Sequence, residues 1–214
     1  MTRMAKTLAI RLVVTGLLAM GVVLAAEGKK LDKGILDPAW FGPSVEFRTT
    51  EDIDYVWVKP GFSIKGHKLS IAPWGDPALL GEDRGPRDAA KASELTEVMP
   101  SRLRGALGNT LSGVAEVSKD DGDIELTGRL SDCDAGSKAA KVWVGLGAGH
   151  ASATMDVKLT DKASGELLAA IHHRVVSVTN ASEVDDKIAK WLEKLGQALH
   201  DDFAVAAKGK PAKK

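Results

Sequence analysis

Apolar residues recur every fourth position at Leu95, Met99, Leu103, Leu107 and Leu111, with Ala92 and Val98 beside them. That spacing puts one apolar stripe on a helix over Asp88–Leu111. Pro100 lies inside it, and a proline removes an amide donor and crowds the carbonyl one turn back, so a kink or a split is expected there. A second stripe, Val184, Ile188, Trp191, Leu192, Leu195, Leu199 and Phe203, predicts a closing helix. Ser182 would cap it, with Asp185 three residues on as a weak capping box.

Between the helices the period changes to two. Ile124, Leu126 and Leu130 alternate with Glu125, Thr127 and Arg129, a half-buried strand. Ala153, Met155, Val157 and Leu159 alternate with Thr154, Asp156, Lys158 and Thr160. Asp161–Gly165 (DKASG) then turns the chain, and Glu166–Val178 returns as the partner strand of a hairpin. Before the first helix, Tyr55–Val58 (YVWV) and Leu69–Trp74 (LSIAPW) read as short strands, and Gly75–Arg87 reads as a surface loop. Asp120–Asp123 and Ser131–Ser137 (SDCDAGS) read as polar turns. Lys138–Val144 is either a strand or a short helix. The order of strands, helix, strand, hairpin and helix predicts an α+β domain: a mixed, largely antiparallel sheet with two amphipathic helices packed on one face.

The flanks divide the chain further. Residues 1–26 have a basic start, an apolar run from Leu12 to Leu24 and the small pair Ala25–Ala26, the pattern of a signal peptide cleaved after Ala26. A run of 13 residues is short for a membrane span, and no cysteine stands at the cleavage point for lipid attachment. An exported, periplasmic protein with no stable membrane anchor is expected. Residues 27–50 read as an extended lead-in that Leu36, Trp40, Phe41 and Phe47 pin to the single domain at 51–205. Residues 206–214 read as a disordered basic tail.

Composition narrows the function classes. Without Arg3, Lys6 and Arg11 of the leader, the 29 basic residues fall to 26 against 29 acidic ones, so no basic surface invites nucleic acid. The single cysteine, Cys133, excludes an internal disulfide, and its neighbours Asp132 and Asp134 disfavour a thiolate.

Gly145, Gly147 and Gly149 suggest a phosphate loop, but His150 takes the place of the fingerprint's last glycine and a strand follows where a helix is required. The glycines are expected to shape a bend. His172 and His173 are adjacent on a strand and point to opposite faces, so they cannot share a metal; one of them could meet His150 across the hairpin. Asp132, Asp134 and Asp156 lack the spacing of a calcium loop. No nucleophile elbow is present, and no cofactor is expected. Trp40 and Trp74 stand beside Pro/Gly turns, where half-buried packing is expected ahead of a partner patch.

The passage DAGSKAAKVWVGLGAG at Asp134–Gly149, followed by a hairpin with an SGELL turn, resembles an exported bacterial family known as a domain of unknown function (number four-four-one-zero). The resemblance covers about Tyr55 to Phe203 and is sharp between Gly128 and Leu168. It implies a compact α/β domain, similar in outline to the amino-terminal domain of the Tol–Pal translocation protein. The family's members are often envelope lipoproteins, and it carries no established catalytic residues to transfer. Asp134, Gly136, Ser137, Gly145, Gly147, Gly149, His150 and His172 are the positions of interest. The expected function is a non-catalytic interaction or scaffold domain with an envelope protein partner. A small-ligand or metal sensor and a hydrolase with an unrecognised site stand as alternatives.

Overall fold

The computed structural model describes residues 32, 35–42, 45–136, 150–177, 181–204 and 210–211. They form an α+β domain built on one sheet of eight strands with the order β4-β3-β5-β6-β7-β2-β1-β8. The strands are β1 (Arg48–Thr49), β2 (Tyr55–Val58), β3 (Lys68–Ile71), β4 (Glu116–Ser118), β5 (Ile124–Asp134), β6 (Ala151–Asp161), β7 (Leu167–Ser177) and β8 (Lys210–Pro211). The described helices are α1 (Pro38–Phe41), α2 (Pro86–Thr110) and α3 (Ala181–His200). Among the described residues no helix is long and apolar enough to cross a membrane.

The centre of the sheet is antiparallel: β5 with β6, β6 with β7, and β7 with β2. Among the described strands, the parallel pairings are those of β3 with β4 and with β5. Parallel neighbours need a crossover, and α2 supplies it between β3 and β4. The Asp161–Gly165 turn closes the β6–β7 hairpin. Asp161 Oδ1 accepts from the Ser164 amide and hydroxyl at 2.7 Å, and Gly165 takes a positive φ of 73° that a glycine adopts freely.

Both long helices pack on one sheet face. Leu95, Met99, Leu103 and Leu107 of α2 meet Ile188, Leu195 and Leu199 of α3 and the core-facing Met155, Val157, Leu159 and Ile171 of the hairpin. Burying each such side chain contributes about 1.5–3 kcal/mol, which outweighs the proline: α2 runs unbroken through Pro100. Gly196 lets the helices close on each other, because a side chain there would collide with Thr110.

Other expectations are corrected. Ser182 lies inside the first turn of α3, and Asp185 binds across to α2, through Arg102 at 2.8 Å and Lys91 at 3.2 Å. The tail is not wholly without structure, since Lys210 and Pro211 pair with Thr49 and Arg48. The outer edge of β1 otherwise offers unpaired backbone groups, and a proline is tolerated on an edge strand.

Ser131–Asp134 is strand where a polar turn was expected. Ser131, Asp132 and Cys133 are buried within β5. A bulge falls between Leu130, which pairs with Met155, and Asp132, which pairs with Thr154. The burial of a carboxylate is tolerated because Arg84 meets Asp132 with two parallel bonds, Nε to Oδ1 at 2.6 Å and a terminal nitrogen to Oδ2 at 2.5 Å.

The second sheet face carries the lead-in. Leu36, Phe41 and Phe47 are buried there with Ala170, against Trp40, Tyr55, Trp57 and Leu167.

Candidate functional site

Strand register aligns Arg129 on β5, Asp156 on β6, His172 on β7 and Tyr55 on β2 as one row across four strands. All four point to the face that the lead-in covers. Asp156 is fully buried. It accepts from Arg129 Nε at 2.8 Å and lies 2.6 Å from His172 Nδ1. His172 is also fully buried, and its Nε2 lies 3.0 Å from Asp32 Oδ2. A terminal nitrogen of Arg129 reaches Asp37 Oδ2 at 3.2 Å, and Asp37 caps α1 by accepting from the Ala39 amide at 3.1 Å.

Trp40 covers the row. Its ring lies 4.7 Å from the Arg129 guanidinium and 4.0 Å from Lys158 Nζ, which also donates to the Trp40 carbonyl at 3.1 Å. These are cation–π contacts in a partly desolvated setting. With His172 protonated, three cations (Arg129, Lys158 and His172) face three carboxylates (Asp32, Asp37 and Asp156).

Burial works against a charged imidazole. The hydrogen bonds to Asp156 and Asp32, and the charges of those two groups, outweigh it and raise the His172 pKa above the ordinary value. Burial lowers the Lys158 pKa, with Arg129 adding to the effect. Burial raises the Tyr55 pKa, and the charge of Asp32 adds to it. An imidazole with a carboxylate at each nitrogen is a hydrogen-bonding joint. It has no free nitrogen with which to take a proton from a substrate or to bind a metal.

The other histidines stay apart from it. His173 faces the helices, stacked on Trp191 with centroids 5.2 Å apart and planes 9° from parallel, and its Nδ1 lies 3.2 Å from Asp54. The two adjacent histidines therefore do serve opposite faces. His150 precedes β6, with Nδ1 3.0 Å from the Ser177 carbonyl. It is six residues from Asp156 along the strand, about 20 Å at ~3.3 Å per residue, so it does not join His172.

Asp134 and Gly136 belong to a second cluster. Asp134 ends β5, 3.8 Å from Arg84, and its Oδ1 accepts from the Gly136 amide at 2.8 Å; Gly136 has a φ of 72°. Asp88, in the first turn of α2, accepts from the Ala135 amide at 2.8 Å. The charged groups here hold the end of β5 to the start of α2. Cys133, between the two acids, has its pKa pushed up to about 12, by burial first and by the charge of Asp132 next. Ser137, Gly145, Gly147 and Gly149 lie outside the described residues, as do Lys138–Val144 and the expected leader.

Sequence reasoning singled out His172 but missed its partners. Arg129 read as the polar side of a half-buried strand and Asp156 as a remote calcium candidate, while Asp32 and Asp37 were unremarked acids in a lead-in. The available signal was the alternation itself, which sets Arg129, Asp156 and His172 on matching phases of three neighbouring strands.

A family model described as "Domain of unknown function (DUF4410)" matches residues 59–181. No curated protein matches the chain. Among solved structures, the chain is similar to a PelC dodecamer from Paraburkholderia phytofirmans, with 10% identity, coverage of 68% of this chain and 94% of that one, and a TM-score of 0.43. It is similar to protein XCC0632 from Xanthomonas campestris at 14% identity, covering 71% and 91%, with a TM-score of 0.41. It is also similar to a minor lipoprotein from Acinetobacter baumannii at 13% identity, covering 68% and 97%, with a TM-score of 0.33.

Proposed function

The chain belongs to the DUF4410 family of domains of unknown function, and from that premise we propose that it is an exported periplasmic domain that works by binding an envelope protein, without turnover. The leader is cleaved after Ala26, and the mature protein keeps no membrane anchor. One observation carries the reading: the Arg129–Asp156–His172–Asp32 row spends its acid and base groups on one another. Such a row fastens the lead-in to the sheet. A catalytic histidine needs one nitrogen within reach of the reacting atom, and here each is taken by a carboxylate. The buried Cys133 is held as a thiol, which removes the other candidate nucleophile singled out from the sequence. The small-ligand or metal sensor loses His172 for the same reason.

Mass spectrometry of the protein recovered from the periplasm should give an amino terminus at Glu27. A tagged form cross-linked in whole cells should return the same envelope protein in independent preparations. Failure to recover any reproducible partner, or turnover of ester or phosphate substrates that Asp156→Asn abolishes in a folded protein, would count decisively against the proposal.

A further inference from the structure

The buried stripes of α2 and α3 turn their opposite sides to solvent, and there the two helices leave a groove of about 610 Å³ between them. Arg102, Ala106 and Asn109 form its α2 bank, and Asp186, Ala189 and Glu193 form its α3 bank. Arg102 is held by Asp185 at 2.8 Å. Asp186 and Glu193 are exposed, so the α3 bank is acidic. Beside the groove, the outermost ridge of α2 carries Ser101, Gly105 and Gly108, all exposed. Both glycines have ordinary helical backbone, and a Cβ on either would meet nothing within 4 Å. Among the described residues nothing calls for glycine here, and after proline it is the poorest helix former.

We propose that this face is where a second copy of the chain docks: the two copies lie antiparallel across a two-fold axis, and the bare α2 ridge of each enters the α2–α3 groove of the other. The inference does not depend on the capture of an envelope protein.

Charge selects the occupant. At about 3.6 residues per turn, Arg104 sits roughly half a turn round α2 from Arg102 and Ala106, so it lies on the flank turned away from α3. When the α2 ridge of one copy lies over the groove of the other, that outer flank overhangs the facing α3. The partner's Arg104 then stands over the acidic bank, between Asp186 and Glu193, which are two turns, or about 10 Å, apart along α3. The same pairing repeats across the axis, so the surface is self-complementary, as an isologous interface requires. A ridge without bulky side chains lets the two backbones approach closely and fits between the banks at Ala106 and Ala189. The chain thus carries both halves of the contact, the cation and small ridge on α2 and the acids on α3.

The assembly is two layers of helices, α3 and α2 of one copy beneath α2 and α3 of the other. The lead-in lies on the far face of each sheet and takes no part. Docking therefore covers the groove and leaves two lead-in faces pointing outwards on opposite sides of the pair.

The test is sedimentation equilibrium of the full mature chain across a concentration series, in which the mass should approach twice that of the monomer. Gly105→Gln should abolish the association and leave the thermal midpoint unchanged or higher, because the added side chain has open space within its own chain and glutamine is the better helix former. Arg104→Glu should weaken the association by about tenfold or more through like-charge repulsion. Adding Asp186→Lys and Glu193→Lys to that variant should restore it. A monomer at every concentration up to about 500 µM would overturn the proposal, as would a dimer that Gly105→Gln or Arg104→Glu leaves unchanged. So would a monomeric chain that captures an envelope protein and loses it on Gly105→Gln, which would give the groove to that protein.

Discussion

The indole of Trp74 occupies the space in front of Gly128. A Cβ on Gly128 would come within 2.5 Å of the Trp74 ring atoms Cε2 and Cζ2. The close approach lets Trp74, 8% exposed, close the core at the end of β3 as a packing residue. Gly128→Ala should therefore destabilise the domain by about 1–3 kcal/mol through overpacking. Urea unfolding should show a lower midpoint with an unchanged slope. Adding Trp74→Leu should make the alanine nearly neutral in a double-mutant cycle. Additive losses would mean that the two positions do not share that space.

Arg84 and Asp132 give the sharpest electrostatic expectation. Removing one partner of a buried pair leaves an uncompensated charge and typically costs about 3–5 kcal/mol. Arg84 keeps 17% exposure, so Arg84→Met should fall at the low end of that range. Arg84→Met with Asp132→Leu should recover most of the loss, because it removes the stranded carboxylate. Both are measured by chemical denaturation at pH 7.

Cys133 should resist thiol reagents. With a pKa near 12 and 1% exposure, it is protonated and covered at neutral pH. Labelling by a disulfide-exchange reagent at pH 8 should be slow in the native protein and complete in minutes once denaturant unfolds it. Rapid native labelling would contradict the burial of β5 at that point.

Asp185 sets an acid-side expectation. Burial opposes its ionisation, but hydrogen bonds from Arg102 and Lys91 overcome that and hold its pKa below the ordinary carboxylate value. The contribution is present above the unfolded value and is lost as pH falls through the folded one. The pair is partly exposed, so Asp185→Asn should cost about 1 kcal/mol at pH 7. The gap to wild type should shrink as pH falls below the ordinary carboxylate range and through the lowered value. A gap that persists in acid would assign the loss to packing between α2 and α3.

Much of the fold was legible because local pattern and tertiary burial agree. The Leu95–Met99–Leu103–Leu107 stripe, the Val184–Phe203 stripe and the DKASG turn each bury the side chains that their period assigns. The SDCD stretch misled because its polarity was judged without Arg84, 48 residues away. The His172 joint was hidden for the same reason: its partners are 16 and 140 residues distant, and only the strand register brings them together. The parallel placement of β3 between β4 and β5 depends on where α2 carries the chain, which no local period records.

The bulge at Ser131 has a consequence for how this sequence tolerates insertion and deletion. Upstream of it, odd-numbered residues of β5 face the lead-in and even-numbered ones face the helices; downstream, the parity is exchanged, so that Asp132 pairs with Thr154 and Cys133 with Ala153. One extra residue is thus a frame correction written into the backbone. Excising Ser131 alone would leave both faces as they are, since Leu130 and Asp132 would then stand next to each other opposite Met155 and Thr154; straightening the strand with Ser131 kept would instead drive the Asp132 carboxylate into the oily layer beneath α2 and turn the thiol outwards.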